Sequence, residues 1–157
     1  MEVIQAATNL DNPHKSRLLA QLDFETGPPG ARWILLQYLV GTDAAWLAEA
    51  IDADLITVHE ALSACGGFGA RPPLEALAQV LVPRGAAPEQ LAVIEQFGIG
   101  WGPMSARYTN IADGMTPLLD SDDPNVVAVA NAGIDMYKRM ADAEQQKERQ
   151  ARVRGYE

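Results

Sequence analysis

The chain has 157 residues, 48% of them hydrophobic and 21% charged, and a formal net charge of −9. That balance suits one folded domain with a core of its own and excludes a disordered or fibrous chain. A single cysteine excludes an intramolecular disulfide framework, no run nears the roughly 20 apolar residues that cross a bilayer, and the opening Met-Glu-Val-Ile-Gln lacks a secretory pattern, so cytoplasmic residence is expected.

Every element the sequence predicts is a helix. Residues 2–8 and about 12–23 hold Val3, Ile4, Leu10, Leu18, Leu19 and Leu22, enough for one or two short opening helices. Thr26-Gly-Pro-Pro-Gly30 breaks the chain. Residues 33–40 are apolar nearly all round, with only Gln37 polar, which fits a buried strand or a buried helix equally. No second strand candidate exists to pair with this run, so it is read as a helix, either central or facing an unfilled contact with another chain. Thr42-Asp43 caps a helix carrying Trp46, Leu47, Ala50 and Ile51. An Asp-Ala-Asp turn then leads to Leu55, Val58, Leu62 and Cys65, and Gly66-Gly67 stops that helix. Pro72-Pro73 opens a stripe of Leu74, Leu77, Ala78 and Leu81, closed by Pro83 and Gly85. Pro88 starts the next helix, with Glu89 beside the positive end of its dipole and Leu91, Ile94 and Phe97 facing inward before Gly98.

The last third carries the strongest periodicity. Met104, Tyr108, Ile111, Ala112, Met115, Leu118 and Leu119 follow the spacing of one buried helical face. Asp-Ser-Asp-Asp-Pro (120–124) interrupts it, with Asp123 as N-cap and Pro124 at the first helical position. A second stripe runs through Val126, Val129, Ala130, Gly133, Tyr137, Met140 and Ala141. Two such helices joined by a short acidic turn fold back and bury their stripes against each other. Beyond Ala141 strong helix formers continue with almost nothing to bury, so residues 1–143 are expected to form one helical-repeat domain and 144–157 an exposed, charged helix end.

The segment Trp101-Gly-Pro-Met-Ser-Ala-Arg-Tyr108, followed by Leu118-Leu-Asp-Ser-Asp-Asp-Pro-Asn-Val126, resembles a HEAT-type helical repeat. In that family a helix ending in an Asp-Pro turn leads into a Val-rich helix with small residues, here Ala130 and Gly133. The pattern is similar to the terminal repeats of large bacterial helical-repeat proteins and covers about residues 101–155. It implies protein binding through a solenoid surface and no catalytic residues. The expected fold is all-α, a short HEAT-like, right-handed stack of three or four antiparallel helix pairs with a long C-terminal helix protruding.

Reactive chemistry is sparse. His14, His59 and Cys65 do not make a metal or nucleophile cluster, and His59 and Cys65, six apart, lie on opposite faces of a helix. Gly66-Gly-Phe-Gly69 lacks the preceding strand and the following Lys-Ser/Thr of a phosphate loop. Asp120, Asp122 and Asp123 lack the glycine and terminal Glu of a calcium loop. No catalytic residue, metal or cofactor is expected. Residues 138–157 hold six cations against four anions, leaving −11 on the rest, which argues against nucleic acid and anionic membrane as partners. Residues 47–62 also resemble a bacterial helix-turn-helix, with Ala48 and Val58 at packing positions and Asp54, His59 and Glu60 facing outward; residues 33–70 contain no Lys or Arg to meet phosphate. A DNA-binding regulator therefore stands as one alternative, and an acidic inhibitor of a nucleic-acid-binding or defence protein, of the kind mobile elements carry, as another. The preferred reading is a noncatalytic protein-interaction or adaptor module, open to self-association, that contacts another protein through Trp101, Arg107, Tyr108, Lys138, Arg139, Lys147 and Arg149. Trp101, following Gly98 and Gly100, is either an aromatic anchor or a staple between two helices.

Overall fold

The structure, a computed structural model, describes residues 10–21, 30–67, 70–94 and 102–155. Among them are eight α-helices and no β-strand, so the fold is all-α. The helix expected over 2–8, and the expected positions of Phe97, Gly98 and Trp101, lie outside the described residues. The chain divides into two compact units, Met1–Ala86 and Ala87–Glu157.

The first unit contains α1 (Asn12–Gln21), α2 (Ala31–Val40), α3 (Ala45–Asp52), α4 (Val58–Cys65) and α5 (Leu74–Leu81). Their starts have local causes. Oδ1 of Asp11 accepts the His14 amide at 3.0 Å, and Oδ1 of Asp43 accepts the Ala45 amide at 2.9 Å, each satisfying an amide that the first helical turn leaves open. At α4 the sequence Thr57-Val-His-Glu60 forms a reciprocal cap. Thr57 Oγ1 accepts the Glu60 amide at 3.1 Å and Glu60 Oε2 accepts the Thr57 amide at 2.8 Å. The turn between α3 and α4 passes through Asp54 at φ 55°, a left-handed position that Asp tolerates and branched side chains do not.

Leu36, Leu39, Trp46, Leu47, Leu77 and Leu81 are fully buried in this unit, and each such aliphatic side chain contributes about 1.5–3 kcal/mol by leaving water. Trp46 is anchored on both sides of its amphipathic ring: Nε1 donates to Ser16 Oγ at 3.1 Å, and the Lys15 ammonium lies 5.6 Å from the ring centroid. Lys15 is only 7% exposed, and burial pulls its amine below the ordinary lysine range against a smaller opposing effect of Asp43. Gly67 lets the chain leave α4 close against α2, because a Cβ there would collide with the Gln37 side chain. The turn after α5, a 3₁₀ segment at Val82–Arg84, is tied back to α3 by Arg84, whose Nε and Nη2 donate to the two Asp52 carboxylate oxygens at 2.8 and 2.6 Å.

The second unit contains α6 (Pro88–Val93), α7 (Met104–Met115) and α8 (Pro124–Val153). The expected continuous stripe from Met104 to Leu119 is shorter in the structure. α7 ends at Met115 and Thr116–Asp120 tightens into a 3₁₀ turn. Pro117 is the cause: it has no amide to donate, and its ring clashes with the carbonyl four residues back. Leu119 is consequently 37% exposed, and Met104, at the other end, 38%. Asp123 and Pro124 behave as their pattern dictates, with Asp123 Oδ1 accepting the Asn125 amide at 2.8 Å. α8 then runs for 30 residues, about 45 Å at 1.5 Å per residue.

α7 lies antiparallel along α8. Met115 meets Gly133, the rings of Tyr108 and Tyr137 stack with centroids 6.1 Å apart, and Ser105 Oγ donates to Glu148 Oε2 at 2.9 Å. α6 closes the core from another side: Tyr137, fully buried, donates its hydroxyl to the Ala92 carbonyl at 2.9 Å. A buried tyrosine needs such a partner, since an unpaired hydroxyl costs about 1–3 kcal/mol.

Candidate interaction surfaces

The expected contact residues on α7 and α8 do not form one cluster. Successive helical residues turn by about 100°, and α8 meets α7 along Gly133, Tyr137, Ala141 and Glu148. Counting round from that seam, Lys138 and Arg149 fall on one flank and Arg139 and Lys147 on the other. Lys138 and Arg139 are exposed. Lys147 pairs with Glu144 at 2.7 Å, and this hydrogen bond raises its ammonium above the usual range, with Tyr108 adding to the effect. Arg149 donates to Gln145 Oε1 at 3.1 Å. Tyr108 is half-buried on Tyr137, and Arg107, also half-buried, sends Nη1 to Met104 Sδ at 3.4 Å. Trp101 lies outside the described residues.

Two features of this surface were not anticipated. Contact between α7 and α8 continues past Ala141, because Glu148 also accepts the Ser105 amide, at 3.4 Å, and caps the start of α7. The unsupported part of α8 therefore begins near Arg149, and residues 149–155 are all exposed. Arg149, Arg152 and Arg154 make this end cationic. Beside the Lys138–Arg149 flank is a polar cleft of about 210 Å³, bordered by Ser105, Ala106 and Thr109 of α7 and Ala141, Asp142 and Gln145 of α8. Its walls carry hydroxyl, amide and carboxylate groups suited to hydrogen bonding. A serine near the start of one helix and a glutamate late in its partner give no periodic signal, so only the three-dimensional pairing reveals them.

The first unit has a different surface. On α2 the buried side is Leu36, Leu39 and Val40, while Trp33 and Ile34 are each 46% exposed. The all-apolar run therefore has a covered face and an uncovered one. Next to Trp33 is a cleft of about 250 Å³ reaching to His59, Glu60 and Ser63 of α4. Glu60, expected to face outward, turns toward α2 instead: Arg32 Nε donates to Glu60 Oε1 at 2.7 Å, and Arg32 Nη2 donates to the Leu55 carbonyl at 2.6 Å. The Thr57-x-x-Glu60 spacing is the sequence signal that assigns Glu60 to this inward, capping role.

Reactive groups are placed apart. Cys65 is 1% exposed, and burial pushes its thiol up to about 12. His59 is exposed on the same helix. Among the described residues no three His, Cys, Asp or Glu side chains are grouped to hold a metal ion, and no helix is long and apolar enough to cross a membrane. No protein-family model, curated protein or solved structure matches this chain.

Proposed function

We propose that the chain is a noncatalytic protein-interaction module of HEAT-like helical pairs whose principal contact element is the exposed last two turns of α8. The observation that carries this reading is the run 149–155, which leaves the last α7 contact at Glu148 with every residue exposed and three arginines. A preformed helix loses less entropy on binding than a flexible tail, and an arginine-rich one suits a partner with carboxylates in planar, bidentate reach. The antiparallel α7–α8 pair, joined through an Asp-Pro turn, supports the repeat-like scaffold. The burial of Cys65 and its separation from His59 support a role without nucleophilic chemistry, since a thiol with a pKa near 12 offers almost no thiolate at neutral pH.

The test is affinity capture from the native cell with the intact chain and with R149E/R152E/R154E, in parallel. A partner retained by the intact chain, released by salt and lost by the charge-reversed variant supports the reading. Equal recovery by both chains refutes it. Salt-sensitive binding of the intact chain to random duplex DNA would favour the helix-turn-helix alternative instead.

A further inference from the structure

We infer that Glu148 is the positioning residue of the contact element: its carboxylate and Ser105 form a lock that holds the last two turns of α8 helical and in place on α7. The inference rests on the reading of those turns as the contact surface. α7 has no cap of its own. It follows Pro103, whose side chain accepts no hydrogen bond, and its first turn carries no acidic residue. Glu148, 43 residues beyond Ser105, supplies both missing parts. One carboxylate oxygen accepts the Ser105 amide at 3.4 Å and the other accepts the Ser105 hydroxyl at 2.9 Å. An amide that the first turn leaves open is thereby satisfied, and a negative charge stands at the positive end of the α7 dipole.

The place of this lock along α8 gives it its effect. Ala141 is the last buried residue of the helix, and from 142 to 155 Glu144 and Glu148 alone are half-buried. Glu144 is engaged by Lys147 of its own helix at 2.7 Å, whereas Glu148 reaches across to α7. Apolar burial thus ends about two turns before Arg149, and a directional polar contact takes over. Arg149 follows Glu148 directly and Arg152 lies one turn beyond it, so what fixes Glu148 also fixes where these guanidinium groups are presented. A helix end without packing opens at little cost, and a side-chain tie at its base raises that cost.

Hydrogen exchange read amide by amide tests the lock on the full chain, intact and as Glu148→Ala, Ser105→Ala and Ser105→Thr. Alanine is a better helix former than glutamate or serine, so neither alanine weakens its helix by propensity. In Glu148→Ala the amides of Ser105 and of 149–153 should nonetheless exchange about fivefold faster, the effect of losing a typical cap, while those at 126–141 stay unchanged. Ser105→Ala, which keeps the amide bond, should show a smaller rise, and Ser105→Thr, which keeps the hydroxyl, should match the intact chain. Adding Ser105→Ala to Glu148→Ala should change exchange at 149–153 no further, because the pair is already broken. Partner retention gives a second sign. Glu148→Ala removes a carboxylate beside three arginines, so charge alone predicts that a captured partner is held to higher salt; the lock predicts release at lower salt. Unchanged exchange at 149–153 in Glu148→Ala overturns the inference, and so does a partner held to higher salt. Equal capture by the intact chain and R149E/R152E/R154E refutes the contact-surface reading instead, and exchange on the free chain decides the lock without any partner.

Discussion

Two glycines in neighbouring helices should respond to the same substitution with opposite signs. Gly133 is buried in α8, where an added Cβ would overlap the Met115 sulfur and approach Ala92 Cβ to 3.2 Å. Gly114, exposed on α7, would place its Cβ in open space. Replacing a helical glycine by alanine gains about 1 kcal/mol of propensity in a helix interior and less near an end, so Gly114→Ala should stabilise by about 0.5–1 kcal/mol. At Gly133 the same gain opposes an overpacking cost of about 1–3 kcal/mol, leaving a net loss of about 0–2 kcal/mol. The two variants should differ by about 0.5–3 kcal/mol in urea unfolding followed by helical circular dichroism, with each kcal/mol moving Tm by about 2–4 °C in a chain of this length. Truncating Met115 should relieve the clash, so M115A/G133A should be more stable than the summed single variants imply. Equal stabilisation by both alanines would refute the close approach of α6, α7 and α8 at Gly133.

Tyr137→Phe removes the hydroxyl bonded to the Ala92 carbonyl and should cost about 0.5–1.5 kcal/mol in urea unfolding, the net worth of one hydrogen bond, since that carbonyl also accepts the Ile94 amide; a neutral effect would contradict the Tyr137 hydrogen bond. Burial raises the Glu60 carboxyl, but its bonds to Arg32 and Thr57 outweigh burial and hold it below the ordinary 4.5. A group lowered in the folded state stabilises above its unfolded value and loses that contribution as pH falls through its folded value. The stability advantage of the intact chain over Glu60→Gln should therefore be full at neutral pH and shrink below 4.5, and a pH-independent difference would contradict the Arg32–Glu60 pairing. Cys65 should resist thiol-directed labelling in the folded chain and react only as denaturant opens α4; rapid stoichiometric labelling at neutral pH would contradict its burial.

Strong local signals carried most of the helical architecture into the sequence. Asp123-Pro124 and Pro88 start their helices where cap and proline chemistry require, and Gly66 stops α4 as expected. The stripe from Val126 to Ala141 is a core face because its 3.6-residue spacing admits no other burial. The same periodicity misled at Leu118 and Leu119, where apolar spacing continued past Pro117, and missing backbone donors override side-chain pattern. The interaction surfaces were harder to read. Apolarity at 33–40 left a central helix and an unfilled contact equally open and did not say which residues would remain outside, since Leu36 and Trp33 look alike until α4 is packed beside them. Glu148 and Ser105 are 43 residues apart, and no helical period relates them. Lys15 is buried with its ammonium 5.6 Å from the Trp46 ring centroid, a placement that only the packing of α1 on α3 reveals.

Hydrogen exchange on the free chain and on its captured complex tests most directly whether the end of α8 is the contact element. In the free chain, amides at 126–141 should be protected most, by packing, and the helical amides at 149–153 should exchange faster because nothing packs on them; partner binding should slow exchange at 149–155. A partner that protects other segments and leaves 149–155 unchanged would contradict the account.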